Sequence, residues 1–110
     1  MYNRLFFWKK EPSVFFMDAH IISNNDEKVS LYISIWICFK YPTPCLDLAG
    51  FYLKDAGYEI REIVISPQQI RIKDYKGEYK SLLKYHYEAI KLGRSLVFHH
   101  KKISSPYDLI

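Results

Sequence analysis

The sequence predicts a single α+β domain in which an antiparallel-rich sheet carries two helices, both packed on one of its faces. The length of 110 residues fits one domain of ordinary size, and the 49% of hydrophobic residues are enough to form a core. Segments with the alternation of strands are separated by two segments with helical periodicity, in the order ββαββαβ. We expect residues 1–110 to form this one domain, with the ends, 1–12 and 104–110, loosely ordered.

Residues 13–22 and 29–39 are predicted to be antiparallel strands joined by the polar turn SNNDEK. A register that pairs Asn24 with Lys28 keeps the aliphatic positions of both strands on one face, whereas a shift by one residue would mix the two faces. On the second face this register predicts the cross-strand pairs Phe16–Trp36, Asp18–Ser34 and His20–Tyr32.

Two helices are predicted from their end signals. The first has Thr43 as its N-cap and Pro44 in its first helical position, and it ends at Gly57, which can adopt a left-handed conformation. The second is predicted over 77–92, with Gly93 closing it in the same way. Each helix is followed directly by a strand.

Three further strands are predicted at 58–66, 69–75 and 94–103, the first two joined by the turn SPQQ. Residues 29–101 alone then have the order βαββαβ of a ferredoxin-like core. In that fold both edges of the first strand are occupied, so strand 13–22 cannot also pair with it. The sequence leaves open whether the hairpin holds, with the last strand elsewhere, or whether the extra strand covers a sheet edge.

Targeting signals and cofactor motifs are missing from the sequence. No apolar run approaches the roughly 18 residues of a transmembrane helix, and the N-terminus does not resemble a secretory signal. The spacing of Cys38 and Cys45 fits neither a zinc site nor a redox motif, so we expect two reduced thiols and a cytoplasmic protein. Phosphate-binding glycine loops and metal-ligand spacings are also missing, and we expect neither cofactor nor metal.

A protein–protein contact is the function that the composition favours. The chain has ten tyrosines, seven phenylalanines and two tryptophans, and such aromatic side chains are enriched at interfaces. If both helices cover the isoleucine face, then Phe16, Tyr32 and Trp36 form an exposed aromatic face for a partner protein or a second copy. We expect a protein-binding module rather than an enzyme, comparable in type to toxin-immunity inhibitors, with no membrane partner.

Nucleic-acid binding is the first alternative, because the basic residues are unevenly distributed. Residues 1–66 contain seven Lys or Arg and eight Asp or Glu, whereas residues 67–110 contain nine and four. Basic side chains of the second helix and its flanks, interleaved with tyrosines, suit a phosphate backbone and stacked bases. The predicted contact residues are Lys76, Lys80, Lys84, Lys91 and Arg94.

A small hydrolase-like enzyme is the second alternative. His20 and Asp18 lie at i and i+2 on one strand face, and Tyr32 and Ser34 face them across the hairpin. The other histidines indicate less. His86 lies in the apolar stripe of the second helix, which is typical of a core residue. His99 and His100, in LVFHHKK, point to opposite faces of a strand, which is typical of a strand leaving the core rather than of a metal site.

Overall fold

Two central strands, β1 (Val14–Ser23) and β2 (Ser30–Cys38), form the predicted hairpin in the computed structural model, which describes residues 11–109. Their register is the predicted one, since Phe16 is paired with Trp36 and Asp18 with Ser34. The hairpin is the centre of the sheet because β1 is apolar on both of its faces and is buried along almost its whole length. The N-terminal segment 1–12 was predicted to be loosely ordered, and its residues 1–10 lie outside the described residues.

Within residues 11–109 the sheet has four antiparallel strands in the order β3-β1-β2-β4, with β3 at Tyr58–Ile70 and β4 at Arg94–His99. The helices are α1 (Thr43–Asp55) and α2 (Leu83–Leu92). The chain is thus a single compact α+β unit, which confirms the predicted fold class, and its order of strands and helices is consistent with a fold of the ferredoxin-like type. The hairpin holds, and the last strand pairs with the free side of β2.

One predicted strand does not exist. SPQQ is not a turn but part of β3, which runs without interruption for 13 residues, and residues 69–75 form no second hairpin strand. Pro67 is tolerated within β3 because an edge strand needs ladder hydrogen bonds on one side only. After Ile70 the chain leaves the sheet through the 3-10 helix Ile72–Asp74, where the Asp74 carboxylate accepts a hydrogen bond of 2.8 Å from the backbone N–H of Arg71.

The two helices lie on opposite faces of the sheet, so the prediction that both pack on one face is wrong. Helix α1 buries Cys45, Ala49 and Leu53 against the isoleucine face. Helix α2 and the segment before it cover the face of Phe16 and Trp36. The physical reason is that both faces of the hairpin are apolar, and each must be removed from water.

The ends of the helices differ in detail from the prediction. Helix α1 includes Thr43, and Pro42 occupies the N-cap position without a side-chain cap. The predicted helix 77–92 consists of a 3-10 helix, Gly77–Leu82, followed by α2. Gly93, with φ of 94°, ends α2 in the left-handed conformation as predicted. No helix within residues 11–109 has the length and apolarity needed to cross a membrane.

The C-terminal tail, expected to be loosely ordered, packs against the body of the protein up to Leu109. Pro106 is buried, and the Tyr107 hydroxyl donates a hydrogen bond of 2.8 Å to the carbonyl oxygen of Asp74. The carboxylate of Asp108 accepts hydrogen bonds from the backbone and the hydroxyl of Ser104. These contacts stabilise the short 3-10 helix Pro106–Leu109.

Candidate functional site

The predicted aromatic face is not a surface. Phe16 and Trp36 are both fully buried, with no exposed area, and only Tyr32 is partly accessible. The Trp36 ring stacks on Tyr85 of α2 at 5.0 Å, and its Nε1–H donates to the Tyr75 hydroxyl at 3.0 Å. The prediction that these residues form an exposed partner-binding face is therefore wrong, because α2 covers the face that was expected to be free.

A buried polar cluster lies on the same face, beyond the Trp36 core. It joins three strands: Asp18 on β1, Ser34 on β2 and His99 on β4. The Nε2 atom of His99 is 3.2 Å from Oδ1 of Asp18 and 2.9 Å from Oγ of Ser34. Asp18 and Ser34 are fully buried, and the Oδ2 atom of Asp18 has no hydrogen-bond partner among the described residues.

The hydrogen bonds of His99 determine where protons reside in this cluster. Its Nδ1 atom is 2.7 Å from the carbonyl oxygen of Lys101, and because a carbonyl can only accept, Nδ1 carries a hydrogen. A favourable contact between Nε2 and Asp18 then requires one further proton, on either the imidazole or the carboxyl group. In agreement with this, burial raises the pKa of Asp18 to about 6, although His99, a backbone hydrogen bond and Ser34 act to lower it.

These distances give little support to the hydrolase alternative. The partner of Asp18 is His99, whereas the ring of His20 packs against Tyr32 in a tilted arrangement, with ring centroids 5.0 Å apart. The hydroxyl of Ser34 is buried, so a substrate cannot reach it as a nucleophile. His99 is the last residue of β4, as expected for a strand that leaves the core, and its partly buried side chain pairs with the buried carboxylate of Asp18. The sequence could not predict this pair, because it left the position of the last strand open.

A second buried polar chain lies under α2. The Tyr75 hydroxyl is 3.0 Å from Nδ1 of His86 and accepts the hydrogen bond from Trp36, so its single proton is donated to His86. This assigns the hydrogen of His86 to Nε2, which is 3.8 Å from the Glu11 carboxylate. Burial lowers the pKa of His86 and raises that of Tyr75 beyond its usual range, so both are neutral at physiological pH.

The predicted basic residues are exposed, but they do not form one surface. Lys76 lies at the start of the 3-10 helix that precedes α2, and Lys80 lies within that helix. Lys84 and Lys91 lie on α2 itself. Arg94 lies elsewhere, because its guanidinium group stacks on the ring of Tyr52 in α1, at 4.9 Å on the opposite face of the sheet.

A cleft of about 460 Å³ opens beside the 3-10 helix Gly77–Leu82, and we call it the tyrosine cleft. The rings of Tyr79 and Tyr107 pack in it with centroids 4.7 Å apart, and Lys101 and Lys102 extend into its wall. Its acidic lining residues are Glu78 and Asp108. The fold thus brings LVFHHKK, the tail and the predicted second helix together, although they are separate in the sequence.

The largest concentration of exposed apolar side chains is in residues 39–51, which we call the 39–51 apolar segment. Tyr41 is 63% exposed and Phe51 67%, and Phe39 and Leu46 are exposed as well. Phe39 and Tyr41 lie in the link from β2 to α1, and Leu46 and Phe51 lie on α1. Around the helix axis Leu46 and Phe51 are about 140° apart, on either side of the stripe that α1 buries against the sheet. The sequence analysis did not predict that these side chains are exposed.

Within residues 11–109, no three His, Cys, Asp or Glu side chains converge to hold a metal ion.

Comparison with known proteins adds no functional information. No protein-family model matches the chain, and neither the curated proteins nor the solved structures include a match to it.

Proposed function

We propose that this protein is a small protein-binding module that contacts its partner through the 39–51 apolar segment. The observation that carries the proposal is the exposure of Tyr41 and Phe51. Of the eight large apolar side chains exposed in residues 11–109, four belong to this segment. Aromatic side chains of this kind are the residues that most often anchor a partner when they become buried in an interface.

The charges of the protein indicate the kind of partner. The 39–51 apolar segment itself contains one lysine, Lys40, and one aspartate, Asp47, so its own contribution to the net charge is zero. The chain as a whole has a net charge of +4, which would accelerate its encounter with an acidic protein. The proposed contact is therefore apolar at its centre, with a partner whose surroundings are acidic.

An inhibitor of the toxin-immunity type remains the specific form of this proposal. An inhibitor needs a stable fold and one contact surface, without catalytic residues of its own. The free thiols of Cys38 and Cys45 agree with the proposed cytoplasmic location, where thiols stay reduced.

The test compares the proteins captured by tagged variants. Phe51→Glu and Tyr41→Glu would place a charge in the proposed contact, whereas Tyr87→Glu is a matched control at an exposed aromatic residue of α2. We expect wild type and Tyr87→Glu to retain one stoichiometric acidic protein and the two segment variants to lose it, with unchanged circular dichroism. A partner that all four proteins retain would contradict the proposal.

Binding of single-stranded nucleic acid is the second candidate, and the tyrosine cleft is the observation that favours it. Tyr79 and Tyr107 can stack with a base, and Lys101 and Lys102 can contact the adjoining phosphates. The carboxylates of the cleft oppose such binding, so the lysines of the neighbouring 3-10 helix and α2 must contribute.

Salt dependence distinguishes this candidate from the first. If it is correct, a labelled oligonucleotide binds at low salt, and the slope of log affinity against log salt becomes less steep in Lys101→Glu/Lys102→Glu and in Lys80→Glu/Lys84→Glu. Lys54→Glu, on α1, is the matched control and leaves the slope unchanged. An affinity that is the same in all variants would reject nucleic acid as a ligand of this cleft.

A further inference from the structure

The outer edge of β4 lacks the features by which sheets usually avoid pairing with other strands. Strand β4 pairs with β2 on one side only, and no strand of the described residues lies along its other side. Its four central residues, Ser95 to Phe98, are uncharged and contain no proline. The backbone N–H and C=O groups of such an edge are available to an incoming strand.

The opposite edge of the sheet is protected. Strand β3 exposes Glu59, Arg61 and Glu62, contains Pro67, and has three register irregularities along its pairing with β1. Charges, proline and bulges are the devices that make an edge strand unsuitable for pairing. Of the two edge strands, β3 therefore has these protective features, whereas the central residues of β4 have none of them.

We propose that β4 pairs antiparallel with β4 of a second copy of this chain, which joins the two sheets into one of eight strands. With the two-fold axis at Leu96, Ser95 faces Val97 of the second copy, and Arg94 faces Phe98 of the second copy. No like charges then oppose each other, and every pair joins residues of the same sheet face. This proposal stands independently of the partner protein proposed above, because the two copies meet at the β4 edge and not at the 39–51 apolar segment.

The exposed apolar residues beside β4 identify a second copy as the occupant. Leu92, just before the strand, is 57% exposed, and Phe98, near its end, is 43% exposed. Antiparallel pairing places Phe98 of each copy next to Arg94 and close to Leu92 of the other. A groove of about 190 Å³ lies at this position, lined by Leu92, Arg94 and Leu96 and by the hydrogen-bonded pair Glu88–Ser95. The Phe98 ring packs on Tyr58 of its own chain at 5.4 Å, and the pairing brings its exposed side to this groove of the second copy. Because the interface is isologous, Leu92 and Phe98 become buried in both copies of a two-fold dimer.

Hydrogen exchange of the unmodified protein tests the proposal directly. As the concentration increases, we expect sedimentation velocity to show twice the monomer mass. The amides of peptides covering 94–99 should become more protected over the same range, whereas those of β3 should not change. Greater protection of β3, or a protein that stays monomeric at the highest concentration reached, would overturn the proposal.

Two variants provide the second test. Phe98→Lys places a positive charge opposite Arg94 of the second copy, and we expect it to increase the dimer Kd by about tenfold or more. Phe51→Lys is the matched control, with an exposed phenylalanine replaced on α1, and should dimerise like wild type. A dimer that persists in Phe98→Lys but dissociates in Phe51→Lys would overturn the proposal, because association would then use the 39–51 apolar segment.

Discussion

His99 and Asp18 are 81 positions apart in the sequence and lie on strands that are not neighbours, yet their side chains meet at 3.2 Å. Strand β2 separates β1 from β4, and Ser34, the β2 residue opposite Asp18, is small enough for the imidazole to extend over it. The pair therefore ties the edge strand β4 to the centre of the sheet. It also fixes the carbonyl oxygen of Lys101, where the chain leaves β4 for the tyrosine cleft.

Replacing His99 should destabilise the protein strongly at neutral pH. In His99→Ala the buried Asp18 loses its main partner, and breaking a buried pair in this way costs about 3 kcal/mol. His100→Ala is the matched control, since this neighbouring histidine is exposed and its loss should change stability by no more than about 0.5 kcal/mol. Urea denaturation at pH 7.5 measures both. Equal effects of the two substitutions would show that the pair does not stabilise the fold.

The raised pKa of Asp18 makes stability fall as pH increases. A carboxyl group with a pKa of about 6 in the folded state and 3.8 in the unfolded state binds its proton more tightly when folded. Its contribution is complete below pH 3.8 and is lost as pH rises through 6, by about 3 kcal/mol in all. Asp18→Asn removes this titration, and its side-chain amide can still form a hydrogen bond with Nε2 of His99.

Denaturation of wild type and Asp18→Asn from pH 4 to pH 8 measures this difference. We expect the stability of Asp18→Asn relative to wild type to increase over that range. Parallel curves for the two proteins would show that Asp18 has the same proton affinity in the folded and unfolded states.

Removing the Tyr75 hydroxyl should leave two buried groups without partners. In Tyr75→Phe, Nε1–H of Trp36 has no acceptor and Nδ1 of His86 has no donor, at a cost of about 2 kcal/mol or more. Tyr87→Phe, at an exposed tyrosine of α2, should change stability by no more than about 0.5 kcal/mol. Thermal denaturation of the two variants gives the comparison, and an equally stable Tyr75→Phe would indicate that the hydroxyl is dispensable in the core.

The sequence predicted the parts of this fold that depend on local patterns. The hairpin register followed from the alternation of 13–22 and 29–39, since a shift by one residue mixes the faces. Gly57 and Gly93 marked the ends of the helices correctly, because both have positive φ. The arrangement of the helices was not predictable in this way, because a strand that is apolar on both faces does not indicate which helix covers which face.

The candidate sites depended on that missing information. Trp36 was assigned to a surface because its face was assumed to be uncovered, and α2 covers it. His99 could be matched with Asp18 only after β4 was placed beside β2, a pairing that no local pattern specifies. In the same way, Tyr79 and Tyr107 are 28 positions apart and meet only because the tail folds back.

The two cysteines should react with thiol reagents at very different rates, and this tests the packing of α1. Cys45 is fully buried in the interface between α1 and the sheet, and burial, together with the nearby Cys38, raises the pKa of its thiol to about 11. At pH 7 only about one molecule in ten thousand then carries the thiolate that reacts. Burial also raises the pKa of Cys38, but this residue is partly exposed beside Phe39. We therefore expect Ellman's reagent to modify Cys38 slowly in the folded protein and Cys45 only after unfolding, as peptide mass spectrometry can show. Rapid modification of Cys45 in the folded state would mean that α1 does not stay packed on the sheet.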